Sequence, residues 1–359
     1  SASPRDWRDR VNAWRRGHRR LQTDVDGSAA PSRNTEYLLY QTIIGLWPDA
    51  VPTGNDRDTF VARLQEYLLK VEHEAKVNTS WISPHEPYET ALCRFVTDIF
   101  KTDRSVAFVN DLHEFASKVA IHGRWNSLSQ LVLKICSPGV PDFYQGTAVW
   151  NRTLVDPDNR HPIDWPANER MFRELLSECS ALRPGSTGEN LVSKWFDDGV
   201  QAEHNAPHPI RDLLQQLLTN AAEGRIKLYV TGLALQARNR FPDLFTSGDY
   251  LPLETTGPFR ENVVALARQH GAQVMIVVVP RLTVQVAGFG GPPPIGDLWQ
   301  ETAITLAESI CEPGSSFGEL FSRRKWSPDT NQDISLSVKD ALRDFPLGVW
   351  IRADNRSSV

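Results

Sequence analysis

Two stretches of the chain gather side chains that could do chemistry. The first, PGVPDFYQGTAVWNRTLVDPDNRHPIDW (138–165), holds four prolines, four aspartates and four aromatic residues, Phe143, Tyr144, Trp150 and Trp165. Pro138 and Pro141 restrict the backbone on both sides of Gly139-Val140 and make a rigid, extended entry. Tyr144, Gln145 and Gly146 then read as a turn in which Gly146 supplies a φ that other residues avoid. Pro157 and Pro162 stiffen the loop that follows. Its polar groups, Asp156, Asp158, Asn159, Arg160 and Asp164, follow neither helical nor strand periodicity. Carboxylates and amides beside aromatic faces suit a polyhydroxylated ligand, whose C–H faces stack on rings while its hydroxyls pair with oxygens. The plainer alternative is a surface loop with Asx-turns and a local Arg160–Asp158 pair.

The second stretch is KVEHEAKVNTSWISPHEPYE (70–89). Lys70, His73, Glu74 and Lys76 end a helix. Asn78, Thr79, Ser80, Trp81 and Ser83-Pro84 make a polar turn with an exposed tryptophan, and Pro87-Tyr88-Glu89 opens the next helix. Here the plainer alternative is a helix–helix connector with an i,i+4 Lys70–Glu74 pair and caps.

Other chemistries lack their signatures. His113 and His122, and His204 and His208, stand outside any HExxH context and away from cysteine, so no metal site is expected. There is no GxSxG, no GxGxxG after a strand and no P-loop, and Gly288, Gly290 and Gly291 run into three prolines. Acid–base carboxylate pairs cannot be chosen by spacing, because the partners usually come from separate strands. A net charge of −5 argues against nucleic acid, whose phosphates need clustered Lys and Arg. No apolar run reaches the roughly 18 residues of a membrane span, and the N-terminal segment has no apolar signal region. The four cysteines form no CxxC pair, and reduced, structural thiols and a cytoplasmic location are expected.

The elements that must position these residues fall into three blocks. At 359 residues the chain is long enough for two or three domains. Residues 1–122 read as a helical subdomain. Tyr37, Tyr40, Ile44 and Trp47 share a helix face over 35–47, and Phe60, Leu64, Tyr67, Val71 and Ala75 do so over 58–77. Tyr88, Leu92, Phe95 and Ile99 follow over 88–100, then Phe108, Leu112, Phe115 and Val119 over 106–121. Trp7, Val11 and Trp14 give the chain's first residues the same period. Residues 123–245 read as a helix (Leu128, Leu131, Ile135), a buried strand or strand-like turn at 139–144, the functional loop, and a helix from about 168 to 182. A polar linker at 184–206 and helices at 210–222 and 227–241 complete the block. Helix, short strand, loop, helix is the rhythm of an α/β barrel. Residues 246–359 switch to short β-rich runs, with ENVVALARQ and AQVMIVVVPRL split by His270-Gly271 as a hairpin signal. An antiparallel β domain of six to eight strands is expected there.

NTEYLLYQTIIGLWP, KVEHEAKVNTSWISPHEPYE, the run from NSLSQLVLKICSPGVPDFYQGT to LVDPDNRHPIDW, and ENVVALARQHGAQVMIVVVPRL together resemble the maltooligosyltrehalose synthase family. That family belongs to the α-amylase superfamily (glycoside hydrolase family 13). The resemblance implies a (β/α)8 barrel with a helical insertion and a C-terminal β domain. This chain would then hold the helical subdomain, the last βα unit of the barrel and the antiparallel β domain. The implied reaction converts the reducing-end α-1,4 bond of a maltooligosaccharide to the α,α-1,1 bond of a trehalose unit, without metal or organic cofactor. A carboxylate nucleophile, a Glu acid/base and a third Asp carry such a retaining mechanism.

By the same resemblance all three lie upstream of residue 1, in a barrel half that this chain lacks, and no acidic residue here is expected to be catalytic. The implied substrate-side residues are Asp142, Tyr144 and Gln145 near the last strand end and Asp156, Asp158, Asn159 and Arg160 in the walling loop. Lys76, Thr79, Ser80 and Trp81 are implied to close over the acceptor glucose. The family usually has Glu, Asp and Arg where Ala148, Asn151 and His73 stand, so activity of the intact parent is open. Two alternatives remain: another α-amylase-type glucan hydrolase or transferase, and a non-catalytic glucan-binding fragment.

Overall fold

A computed structural model of the chain describes residues 3–101, 105–181, 208–312, 314–328 and 334–352. They fall into two compact units. The first comprises 1–121 with 152–162, and the second 122–151 with 163–359. The linker expected at 184–206, with His204, lies outside the described residues.

The first unit is helical. Its elements are α1 (Pro4–His18), a two-stranded hairpin of β1 (Thr23–Val25) and β2 (Ser28–Ala30), α2 (Arg33–Leu46), α3 (Gly54–Ala75), α4 (Glu86–Lys101) and the first half of α5 (Ser105–Cys136). Ser32 caps α2, its side chain accepting from the Thr35 N–H at 3.2 Å, as an N-cap serine should. The core is aromatic. Trp14 meets Tyr40 and Phe108 edge-on with centroids 5.5 Å away in each case, and Trp47 lies over Phe100. Edge-to-face pairs of this kind add about 0.5–1.5 kcal/mol each beyond the area they bury.

Two helices present a different face from the one expected. In α2 the buried side is Leu39, Tyr40, Ile43 and Leu46 together with Glu36, while Tyr37 is exposed. In α3 it is Phe60, Val61, Leu64 and Leu68, continued by Glu72 and His73 rather than by Val71 and Ala75. Buried polar residues displaced the apolar period in both. Glu36 is satisfied by Arg15 Nε at 2.9 Å and by the Tyr40 hydroxyl at 2.9 Å. The two helices expected at 106–121 and around 128–135 are one continuous helix, α5, because a lone Gly123 does not end a helix.

In the second unit α5 ends at Cys136, where two guanidinium groups cap it. Arg238 donates to the Ile135 carbonyl at 2.8 Å and Arg268 to that of Cys136 at 3.0 Å, meeting the negative end of the helix dipole. Of the buried strand or strand-like turn expected at 139–144, the strand is not formed. The chain bends at Gly139 and runs as coil with no ladder partner, and Val140 is 92% exposed rather than buried. A strand exists through its neighbours' hydrogen bonds, and this segment has none. The helices that follow are α6 (Trp165–Ala181), α7 (His208–Thr219), α8 (Arg225–Arg240) and the short α9 (Pro242–Thr246).

The β domain has nine strands among the described residues, more than expected because several are only two or three residues long. A six-stranded antiparallel sheet runs β3 (Asp249–Pro252), β5 (Val263–His270), β6 (Gln273–Pro280), β11 (Gly348–Arg352), β8 (Phe317–Glu319), β9 (Lys325–Trp326). A three-stranded sheet runs β10 (Ser335–Ser337), β7 (Ala303–Thr305), β4 (Thr255–Thr256). The expected hairpin is β5–β6, closed by His270 opposite Gln273 across Gly271, whose φ of 57° suits glycine. Both faces of this hairpin are buried. Val263, Ala265, Ala267, Val274, Ile276 and Val278 pack with Ile304, Leu336, Trp299 and Trp350. On the other face Arg268 is buried with Leu266, Met275 and Val277, its guanidinium bound to the carbonyls of Cys136, Phe245 and Gly248.

Further along, Gly296–Trp299 forms a 3₁₀ turn, and the strand that follows begins only at Ala303. Likewise Ser335–Ser337 is followed at once by a short α-helix, α11, at Val338–Ala341, α10 being Val284–Ala287. The four cysteines are unpaired, three of them buried. No helix among the described residues is long and apolar enough to cross a membrane.

Candidate functional site

In the first unit one helix face organises the 70–89 stretch and the 152–162 part of the other. Arg63, Lys70 and His73 stand at i, i+7 and i+10 on α3, so they share a side. Arg63 grips the loop 152–162: Nε donates to Asp158 Oδ1 at 2.7 Å, and Nη2 donates to Asp158 Oδ2 at 2.9 Å and to the Arg152 carbonyl at 2.9 Å. Lys70 Nζ donates to the Asp156 carbonyl. It also stands 3.8 Å from Glu74, the i,i+4 pair of the plainer connector alternative. Arg152 pairs with Asp49 at 2.7 Å. The loop is thus fastened at both ends.

Within it, Asp158 is committed to structure. Its carboxylate also accepts from the Leu154 N–H, and the Arg63 guanidinium, ahead of that N–H, holds its pKa down at about 2 against burial. Arg160 pairs with Asp156 and not with Asp158, because Arg63 already occupies the Asp158 carboxylate. Asn159 keeps a buried carbonyl oxygen with no hydrogen-bond partner among the described residues.

The turn after α3 carries Lys76, Thr79, Ser80 and Trp81. Lys76 is its C-cap at φ 56° and ψ 30°, a left-handed conformation that usually belongs to glycine or asparagine. Asn78 Nδ2 donates to Glu72 Oε2 at 2.7 Å and to the Tyr88 hydroxyl at 3.0 Å. Thr79 is buried: its hydroxyl accepts from the His85 N–H at 2.9 Å and donates to Glu89 Oε1. Ser80 Oγ accepts from the Ser83 N–H at 3.0 Å. Trp81 projects outward at 61% exposure, and its ring lies 4.2 Å from that of His73. His73 Nε2 is 2.8 Å from Glu89 Oε1. The Thr79 hydroxyl first, and His73 with it, hold the Glu89 carboxyl below the usual carboxylate range.

The second unit holds Asp142, Tyr144 and Gln145. All three are exposed, Tyr144 at 51%. Lys134 of α5 donates to the Asp142 carbonyl at 2.9 Å and sits 3.8 Å over the Phe143 ring. Arg238 donates to the Gly139 carbonyl. Gly146 turns the chain at φ 77°, as expected, with Ile163 packed where a Cβ would go. Lys227 of α8 donates to the Val149 carbonyl at 3.1 Å, and Trp150 Nε1 donates to the Ala221 carbonyl at 2.7 Å. Burial, then Lys134 nearby, pushes the Lys227 amine down to about 8.

The structure therefore brings Lys76, Thr79, Ser80 and Trp81 onto one turn and Asp156, Asp158, Asn159 and Arg160 into one loop, both fastened to α3. Asp142, Tyr144 and Gln145 belong to the other unit. Arg63, Lys70, Glu89, Lys134, Lys227 and Arg238 support these segments and were not singled out as site residues from sequence. The common face of Arg63, Lys70 and His73 was the signal that could have found three supports. A cavity of about 590 Å³ opens elsewhere in the first unit, lined by Trp14, His18 and Phe108 among others, and none of the candidate residues lines it. No cluster of His, Cys, Asp or Glu among the described residues could hold a metal ion.

No protein-family model matches the chain. Two proteins from strains of Mycobacterium tuberculosis, both provisionally named maltooligosyl trehalose synthase, are each 26% identical over 279 residues, which is 78% of this chain and 28% of theirs. Among solved structures, the maltooligosyltrehalose synthase of Arthrobacter ramosus superposes with a TM-score of 0.61 at 24% identity, covering 95% of this chain and 35% of that one. Another maltooligosyl trehalose synthase gives 0.63 at 23% identity, covering 98% and 36%. A hypothetical maltooligosyl trehalose synthase of Sulfolobus tokodaii gives 0.59 at 22%, covering 98% and 35%. The chain thus has the fold of the matching portion of these proteins and spans 28% of the length of the curated relatives it matches.

Proposed function

Given a chain similar over most of its length to the maltooligosyltrehalose synthases, we propose that it is the C-terminal portion of a glucan mutase. The reaction would turn the reducing-end α-1,4 bond of a maltooligosaccharide into the α,α-1,1 bond of a trehalose unit. Its three blocks would be a helical subdomain at 1–122, the end of a catalytic barrel at 123–245 and a β domain at 246–359. The observation that carries the reading is the Trp81 turn, a broad aromatic face held outward among hydroxyl and amide groups on a rigid helix end. An indole in that position stacks on the C–H face of a glucose ring, and neighbouring oxygens and the Lys76 ammonium pair with its hydroxyls.

The role assigned to this chain is on the substrate side. Lys76, Ser80 and Trp81 would hold the acceptor glucose while it turns, and Thr79, buried and bonded to Glu89, would act through the turn it fixes. Asp156, Asn159 and Arg160 would wall the site, and Asp142, Tyr144 and Gln145 would line the barrel end. Asp158 would act through the loop it fixes. Excluding water matters in such a reaction, because water that reaches the glycosyl intermediate diverts it to hydrolysis. The carboxylates that break and make the bond are assigned to the preceding part of the enzyme.

The test is direct. This chain incubated with maltopentaose should bind it, with a change in tryptophan fluorescence, and should form no trehalose-type product. Turnover by the chain alone would overturn the division of labour. Absence of any binding would overturn the substrate-side assignment.

A further inference from the structure

We propose that His73 and Glu89 are positioning residues for Trp81, an inference that deepens the sugar-side reading of the turn and rests on it. Trp81 lies between Thr79 and His85, and both of these are tied to one carboxylate oxygen. The His85 N–H donates to Thr79 Oγ1, and that hydroxyl donates to Glu89 Oε1. The same oxygen accepts from His73 Nε2 at 2.8 Å, so Nε2 carries the hydrogen. The ring thereby fixed, 9% exposed on α3, is the one against which Trp81 lies, 4.2 Å between centroids and 47° between planes. Glu89 Oε1 therefore controls three things at once: the backbone before Trp81, the backbone after it, and the surface beneath its indole.

The chemistry favours an anion at this point. Glu89 lies in the first turn of α4, where the positive end of the helix dipole stabilises a carboxylate. Its carboxylate accepts charge-assisted hydrogen bonds, which are shorter and stronger than neutral ones. An indole that is 61% exposed on a turn would otherwise sample several rotamers, and a ligand would have to select one. The pair removes that cost before sugar arrives. One pre-immobilised side chain is worth about two- to tenfold in affinity.

The experiment uses the 359-residue chain labelled with 5-fluorotryptophan. The Trp81 resonance is the one that disappears in Trp81→Phe. In both His73→Ala and Glu89→Gln that resonance should move toward the solvent-exposed position without sugar present. Maltopentaose affinity should fall about two- to tenfold in each variant, and neither change should weaken binding further once Trp81→Phe is in place. A folded His73→Ala protein with an unmoved Trp81 resonance would overturn the proposal, as would losses that add to that of Trp81→Phe. If His73→Ala does not fold, Glu89→Gln, which keeps shape and one acceptor oxygen, decides by the same resonance. Failure of the wild-type chain to bind maltopentaose would count against the sugar reading alone, since the resonance in the absence of sugar still settles whether the pair sets the pose.

Discussion

Arg63 and Asp158, ninety-five residues apart in sequence, meet in a two-pronged contact, Nε to Oδ1 at 2.7 Å and Nη2 to Oδ2 at 2.9 Å. A planar guanidinium matched to a carboxylate in this way fixes direction as well as distance. It turns a loop rich in prolines into part of the helical unit.

Replacing Arg63 by leucine should free the loop. Asp158 would be left partly buried without its cation, at a cost of about 1–3 kcal/mol given the residual exposure of Arg63. Limited proteolysis should then nick the chain within 152–162 faster than in the wild type. The pair also sets an acid limit. The Asp158 carboxyl titrates at about 2 when folded, against an ordinary 3.8. Its contribution is present above pH 3.8 and is lost as pH falls toward 2. Asp158→Asn should flatten the loop's protease sensitivity across that window.

Lys76→Gly should stabilise the chain and weaken sugar binding together. Lysine at φ 56° carries a left-handed cost that glycine does not, and its removal is worth about 0.5–1 kcal/mol. Thermal unfolding should shift upward. If Lys76 holds the acceptor glucose, maltopentaose affinity should fall in the same protein. A stabilised variant with unchanged affinity would remove Lys76 from the site.

His122 should make the second unit sensitive to mild acid. The Gly290 N–H donates to its Nε2 at 3.0 Å, so Nδ1 carries the hydrogen and donates to Thr283 Oγ1 at 2.8 Å. Protonating Nε2 sets two donors against each other. Burial holds the imidazole below its ordinary 6.5, so its contribution is present above that pH and is lost as pH falls through the lower folded value. In His122→Phe, urea unfolding at pH 7.5 should show a loss of about 1–3 kcal/mol from the unsatisfied Gly290 N–H. The further loss between pH 7.5 and 5.5 should be smaller than in the wild type.

The helices of the first unit and the 263–280 hairpin were legible in the sequence because apolar periods and a Gly-marked turn dominate there. Legibility failed where polar groups are buried. Glu36, Glu72 and His73 lie on core-facing sides, and each pulled the true face away from the apolar count. Two of those three, Glu72 and His73, belong to the network under the Trp81 turn, so the misreading marked the candidate site itself. Gly139–Tyr144 failed for another reason. Its prolines and valine suit a strand, but strand formation is a property of neighbours, and composition does not supply them. The aromatic and hydroxyl groups of the turn were visible as chemistry. Their support from Glu89, on the next helix, was not, because side-chain pairing between elements leaves no mark on local spacing.

The six-stranded sheet has a consequence for how the protein behaves in concentrated solution. Its run VMIVVVP, uncharged and rich in β-branched residues, is the kind of segment that stacks into cross-β fibrils once unfolded. In the native sheet it is interior, with β5 on one side and β11 on the other. The two open margins are β9, two residues long and carrying Lys325, and β3, which begins at Asp249 and ends at Pro252. Neither offers an incoming chain a long row of unpaired donors. The folded chain should therefore resist fibril growth at its sheet edges, and aggregation, when it comes, should follow the rate at which the β5–β6 hairpin opens.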